Sequence, residues 1–113
     1  MTIKVSRVSF EKVIVIDDDA DQSWAEQQGF EEDLAALKNG ELTNYGVRAR
    51  VEIQIPLAST LQHGCHISQN IESPGIWGVT VANSDDPYID EVFKEECNTL
   101  AQMLTALGIE VTP

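Results

Sequence analysis

The sequence predicts an α+β fold, a two-layer sandwich with two helices on one face of a mainly antiparallel sheet of three to four strands. Apolar residues alternate with polar ones from Val47 to Ile55, which is typical of a strand with one buried face. Apolar residues also recur at three- and four-residue spacing over residues 86–107, which indicates a long amphipathic helix. A chain of 113 residues, 42% of them hydrophobic, is expected to form one domain over residues 1–113.

The first part of the chain predicts one strand and one short helix. The run Val13-Ile14-Val15-Ile16 is apolar and β-branched without polar alternation, so we expect a more fully buried strand. A weaker helical pattern covers residues 30–39, with Leu34 and Leu37 directed inward, and Gly40 ends it.

The middle of the chain predicts a hairpin. Pro56 follows the alternating strand and is expected to end it or to lie on a sheet edge, because proline has no N–H to donate. Residues 65–71 and 76–81 predict two further strands. The segment Ser73-Pro74-Gly75 separates them, and since Pro and Gly are favoured in turns, we expect the two strands to pair with each other.

The C-terminal helix has recognisable ends. Asp85 or Asp86 suits the N-cap, Pro87 the first turn and Gly108 the position beyond the last turn. The predicted buried stripe consists of Ile89, Phe93, Cys97, Leu100, Leu104 and Leu107. Acidic residues gather in the first half of this helix, where the helix dipole stabilises them.

The net charge of -12 is concentrated in two segments. Residues 13–37 contain eight carboxylates and no Lys or Arg, and residues 85–96 contain six carboxylates and one Lys. This pattern favours a basic protein partner and disfavours direct binding to nucleic acid or to anionic membranes. Because the chain has neither a membrane-length apolar run nor a signal-peptide pattern, we expect a cytoplasmic protein.

The predicted partner-binding residues are acids of these two segments together with one tryptophan. They are Asp17, Asp18, Asp19, Asp21, Trp24, Glu26, Glu31, Glu32, Asp85, Asp86, Asp90, Glu91 and Glu95. Tryptophan is enriched among residues that dominate binding energy, but it also packs in cores. Both readings stay open for Trp24, whereas we expect Trp77 to pack in the core or at its edge.

One acidic motif partly matches a calcium loop. Asp17, Asp19 and Asp21 match its first, third and fifth ligand positions, but Gln22 and Gln28 stand where that loop requires Gly and Glu. We therefore predict no dedicated calcium site.

The only concentration of zinc-ligand or nucleophile side chains is His63, Cys65 and His66. A structural zinc site needs two ligand pairs, and the other cysteine, Cys97, falls on the helical stripe. We predict two reduced thiols and no metal or other cofactor. A small hydrolase or transferase that uses these three residues remains the alternative from another functional class.

Several motifs spread over residues 13–109 form a pattern. They are Ser23-Trp24, Tyr45-Gly46-Val47-Arg48-Ala49, Ser73-Pro74-Gly75-Ile76-Trp77-Gly78, Ser84-Asp85-Asp86-Pro87-Tyr88-Ile89-Asp90-Glu91-Val92 and Leu107-Gly108. This pattern resembles a group of small acidic proteins of unknown function from phages, plasmids and other mobile elements. The chain departs from it at Trp24, where members tend to carry Tyr, and at Val79-Thr80-Val81, where they tend to carry Ile-Glu-Ser.

The resemblance implies no activity, cofactor or catalytic residue, but it implies a mobile-element context. Small acidic proteins in that context often block host defence, and anti-CRISPR and anti-restriction proteins frequently do so by occupying nucleic-acid sites. We therefore predict a non-enzymatic inhibitor, monomeric or homodimeric, whose carboxylates imitate phosphates against a basic groove. An immunity or antitoxin protein that caps a basic nuclease, and a housekeeping domain whose charge serves solubility, remain open.

Overall fold

The computed structural model describes residues 3–17, 29–56 and 66–113. The elements follow in the order β1 (Lys4–Ser6), a 3₁₀ turn (Arg7–Ser9), β2 (Glu11–Ile16), α1 (Glu31–Lys38), β3 (Thr43–Pro56), β4 (His66–Glu72), β5 (Ile76–Val81), α2 (Pro87–Ala106) and β6 (Glu110–Thr112). This arrangement confirms an α+β fold with a mostly antiparallel sheet and a long C-terminal helix. None of the helices in the described ranges has the length and apolar character needed to cross a membrane.

The 14-residue strand β3 is the centre of the main sheet. Its first half pairs with β2 on one edge and with β5 on the other, and its second half, from Arg50 to Pro56, pairs with β4. All three pairings are antiparallel. Strands β4 and β5 therefore lie end to end along the same edge of β3.

The predicted hairpin between residues 65–71 and 76–81 is wrong, because β4 and β5 each pair with β3 and not with each other. The segment from Ser73 to Gly75 interrupts one long strand instead of reversing it. The N–H of Ser73 donates to the carbonyl of Ala49, and the N–H of Ala49 donates to Ser73 Oγ, both at 2.9 Å. These two bonds continue the ladder where Pro74 has no N–H to offer.

The hydrophobic core lies between β3 and α2, as the two periodic patterns predict. Alternate β3 side chains from Val47 to Ile53 are buried, and Ile89, Leu100 and Leu104 of α2 are fully buried against the sheet. Phe93 and Cys97 were predicted to be buried and are only half-buried, although both pack against this core. Leu107 is instead 65% exposed, because the helix ends at Ala106.

Strand β2 differs from its prediction. It was expected to be more fully buried, but Val13 and Ile14 are half-buried and Val15 and Ile16 are exposed. The reason is its position at the edge of the sheet. Within the described part of the chain, β2 pairs with β3 on one side and with no strand on the other. Of its residues, Ile14 alone packs against the core beneath α2.

The two ends of the described chain form a second, two-stranded parallel sheet. Lys4 to Ser6 of β1 pair with Glu110 to Thr112 of β6. Ile3, Val5 and Val111 pack against the core from this sheet. The sequence did not predict these strands, since three residues are too few to show a period.

Candidate functional site

The outer side of α2 carries the clearest acidic surface in the described residues. Asp90, Glu91 and Glu95 are exposed, and the helix turns by about 100° per residue, which places them away from the buried Ile89. Lys94 is exposed among them. We call Asp86, Asp90, Glu91 and Glu95 the α2 acidic surface.

Of the two aspartates that precede α2, Asp86 has a structural role through its side chain. Asp86 is the N-cap, and its Oδ1 accepts a hydrogen bond from the Tyr88 N–H at 2.9 Å. Such a cap satisfies one of the N–H groups that a helix start leaves unpaired. Asp85 is exposed, and its N–H donates to Asn83 Oδ1 at 2.9 Å.

One carboxylate of the α2 acidic surface has an internal cation. Lys12 Nζ of β2 lies 2.7 Å from Asp90 Oδ1, and because both side chains are partly exposed, the pair adds little stability. Glu91 and Glu95 form no ion pair with any described residue. Their charge is therefore available to a cation from outside the described chain.

Asp17 belongs to the first acidic segment, yet its side chain forms a hydrogen bond to the main sheet. Its Oδ2 accepts a hydrogen bond from the Gly78 N–H of β5 at 2.9 Å, and its own N–H donates to the carbonyl of Asn44. The half-buried Asp17 thus joins the end of β2 to both β3 and β5.

Glu31 and Glu32, at the start of α1, are exposed. Glu31 Oε2 accepts a hydrogen bond from the Gly29 N–H at 3.0 Å. Hydrogen bonds from the backbone N–H groups of Glu31 and Gly29 lower the pKa of the Glu31 carboxyl. Glu32 lies beside it in the first turn, where the helix dipole favours negative charge.

The other predicted binding residues, Asp18, Asp19, Asp21, Trp24 and Glu26, lie outside the described residues, so their role stays a prediction. His63 and Cys65 also lie outside them, and His66 begins β4. Within the described ranges, no group of three or more His, Cys, Asp or Glu side chains is arranged to hold a metal ion.

Sequence reasoning missed the burial of Glu96, which belongs to the second acidic segment. Glu96 is only 5% exposed, and its Oε1 accepts a hydrogen bond from Ser73 Oγ–H at 2.8 Å. A buried carboxylate without such a donor is costly. Glu96 lies four residues from both Val92 and Leu100, which are buried, so this helical spacing could have predicted its burial.

The face of the sheet opposite α2 carries the other notable side chains. Trp77 is 50% exposed there and lies outside the α2 core. Its ring covers Gly46 so closely that a Cβ on Gly46 would lie 2.3 Å from Trp77 Cε3.

Two arginines of β3 are neutralised on this face. Arg48 pairs with Glu72 at 3.1 Å, and Arg50 pairs with Glu11 at 2.9 Å. The hydrogen bond and charge of Glu11 raise the pKa of the Arg50 guanidinium. These cross-strand pairs leave no unpaired basic patch among the β3 arginines.

The arrangement of charges can attract and orient a cationic surface. Asp17, Asp86 and Glu96 hold parts of the fold together, whereas Glu32, Glu91 and Glu95 make no side-chain hydrogen bond or ion pair within the described residues. Comparisons with known proteins add no function to this geometry. The chain matches no protein-family model, no curated protein and no solved structure.

Proposed function

We propose that this protein is a non-enzymatic inhibitor of mobile-element type, which uses its acidic surface to occupy the basic nucleic-acid-binding groove of a host-defence protein. The observation that carries the proposal is the spacing of charge on α2. From Asp86 to Glu95 the four carboxylates of the α2 acidic surface span about 14 Å of helix axis. The three intervals between them average about 4.5 Å, which is of the same order as the roughly 3.4 Å between phosphates along one strand of a duplex.

The energetics of this surface also favour binding over a purely internal role. Glu91 and Glu95 stand four residues apart on one helix side, where like charges repel and destabilise the helix. No described side chain outside α2 pairs with either of them. The positive charges of a basic groove would offset this repulsion. Binding would therefore give the two carboxylates the favourable electrostatic interactions that they lack in the isolated protein.

The helix that carries these charges is held rigidly. Ile89 and Leu100 are fully buried on its opposite side, and Asp86 fixes its first turn. A preordered surface loses little conformational entropy when it binds. This rigidity supports a mimic of nucleic acid, because a fixed helix holds its carboxylates in place against a basic groove.

A capture experiment tests the proposal. Immobilised protein is incubated with bacterial host lysate at low salt, and bound proteins are eluted with a duplex DNA oligonucleotide. The double variant Glu91→Lys and Glu95→Lys should lose the DNA-displaceable proteins. The matched control, Glu41→Lys with Glu110→Lys, changes the net charge equally at exposed sites away from α2 and should retain them. Equal retention by both double variants would contradict the proposal.

A further inference from the structure

The second half of β3 has one edge that is unpaired as far as the described residues show. Strand β2 accompanies β3 only as far as Arg50, whereas β4 follows the opposite edge to Pro56. Beyond Arg50, no other described strand pairs with the β2 side of β3. A bare strand edge offers N–H and C=O groups to any extended chain that reaches it.

The hydrogen bonds fix which residues face this edge. Both backbone groups of Ala49 bond to Ser73 on the β4 and β5 side, whereas the carbonyl of Asn44 accepts from the N–H of Asp17, directly after β2, on the other side. In an antiparallel ladder, successive residues direct these groups to alternate edges. Glu52 and Gln54 therefore direct their N–H and C=O groups toward the unpaired edge.

Strand β1 pairs only with β6 among the strands in the described ranges, so its other edge is unpaired there. The carbonyl of Ile3 accepts a hydrogen bond from the Glu110 N–H, which fixes the side of β1 that faces β6. By the same alternation, Lys4 directs its N–H and C=O away from β6.

The two unpaired edges border one cavity. It has a volume of about 420 Å³ and is lined by Lys4, Val5 and Ser6 of β1 and by Glu52, Ile53 and Gln54 of β3, with Ser9 at its side. Each wall is three residues long, about 10 Å of extended chain. The cavity therefore offers backbone donors and acceptors to a short strand.

We propose that this cavity binds an extended segment of a partner protein, which adds as a strand to the Glu52–Gln54 edge of β3 and alternates basic with apolar residues. Glu52 is exposed and forms no ion pair with any described residue, so a Lys or Arg opposite it completes a cross-strand charge pair. Ile53 and Val5 belong to the core side, so they require apolar neighbours. Main-chain bonds would supply affinity, and the charge of Glu52 together with the apolar side chains beside it would supply specificity.

Charge argues against a second copy of this chain as the occupant. Each copy carries a net charge of -12, and an antiparallel pairing of two such edges would bring their Glu52 carboxylates together. Pro56 further shortens the edge because it lacks an N–H. A basic partner avoids the repulsion between like charges, whereas Pro56 limits the length of edge that is open to any occupant. This inference does not depend on the α2 acidic surface.

The first test uses a peptide probe, acetyl-Lys-Val-Lys-Val-Lys-Val-Lys-amide, with the full chain at about 150 mM NaCl. The control peptide is N-methylated at its lysines, which keeps every charge and side chain but removes the N–H groups that would face β3. We expect the control to bind at least about tenfold more weakly, because it loses two or more hydrogen bonds. Equal binding of the two peptides would overturn the proposal.

The second test removes a donor from the protein. Gln54→Pro deletes an N–H that β4 does not use, and edge strands tolerate proline at such positions. It should weaken peptide binding about fivefold or more, whereas Gln54→Ala, which keeps the N–H, should change binding less than about twofold. Equal binding by the two variants would contradict the proposal. If Gln54→Pro does not fold, the peptide pair still decides the question on the native chain.

The double variant Glu91→Lys and Glu95→Lys separates the two proposals. It should bind the unmodified peptide within about twofold of the native chain at this salt, because its changes lie on α2, away from the β3 edge. Loss of peptide binding in this variant would assign the peptide to the α2 acidic surface and overturn the strand-addition site.

Discussion

The carboxylate of Glu96 accepts a hydrogen bond from the hydroxyl of Ser73, with 2.8 Å between Oε1 and Oγ. The same hydroxyl oxygen accepts the N–H of Ala49. One serine thus connects the central strand to a buried acid of α2 at the break between β4 and β5. This connection removes Glu96 from the acidic surface and gives it a structural role.

Ser73→Ala is expected to destabilise the protein by about 1–3 kcal/mol, because it leaves both the Glu96 carboxylate and the Ala49 N–H without their partner. Urea unfolding followed by circular dichroism measures the change. Ser68→Ala, an exposed serine of β4, is the matched control and should change stability by less than about 0.5 kcal/mol. Equal stabilities of the two variants would show that the connection contributes nothing.

Gly46→Ala is expected to cost at least about 1–3 kcal/mol, since the new Cβ would overlap the Trp77 ring. Adding Trp77→Ala removes the overlap, so the double variant should be more stable than the sum of the single changes predicts. Unfolding of the four chains of this cycle measures the coupling. Strict additivity would mean that Trp77 does not cover Gly46 in solution.

The acid dependence of stability should include a small contribution from Glu31. Its pKa in the folded chain is lowered below the ordinary value of 4.5 by backbone hydrogen bonds. A lowered folded-state pKa stabilises the fold above the unfolded value, and this stabilisation is lost as pH falls through the folded value. The difference in stability between the native chain and Glu31→Gln should therefore shrink as pH falls below about 4.5. A difference that grows toward acid pH would contradict this assignment.

Micromolar calcium should leave the melting temperature unchanged. Asp17 Oδ2 already accepts the Gly78 N–H, and Gln22 and Gln28 replace two residues that a calcium loop needs. A metal that binds only the native state would raise the melting temperature in proportion to its affinity. A rise of several degrees that Asp19→Ala abolishes would contradict the prediction.

The periodicity of apolar residues was sufficient to predict the central strand β3 and the long helix α2. The alternation from Val47 to Ile53 and the spacing from Ile89 to Leu104 identified the central strand and the long helix, because each pattern reports one buried face. The ends of α2 were also predictable, since Asp86 and Pro87 act within one turn.

The remaining features depend on partners distant in sequence. Ser73-Pro74-Gly75 has the composition of a turn, yet the bonds between Ser73 and Ala49, 24 residues apart, hold it in a continuous edge. Likewise, β1 and β6 join the two ends of the chain. The structural role of Asp17 could not be separated from surface charge in a sequence with so many acids.

The salt dependence of partner binding decides whether the α2 acidic surface is a binding surface. The measurement uses a partner protein that duplex DNA displaces in the capture experiment. Its affinity for the native chain and for the double variant Glu91→Lys and Glu95→Lys is measured from low salt to about 1 M, where the Debye length is about 3 Å. We expect native affinity to fall steeply with salt, and the variant to bind weakly at low salt with a much flatter dependence. Native binding that persists unchanged at about 1 M salt and survives the charge reversal would contradict phosphate mimicry.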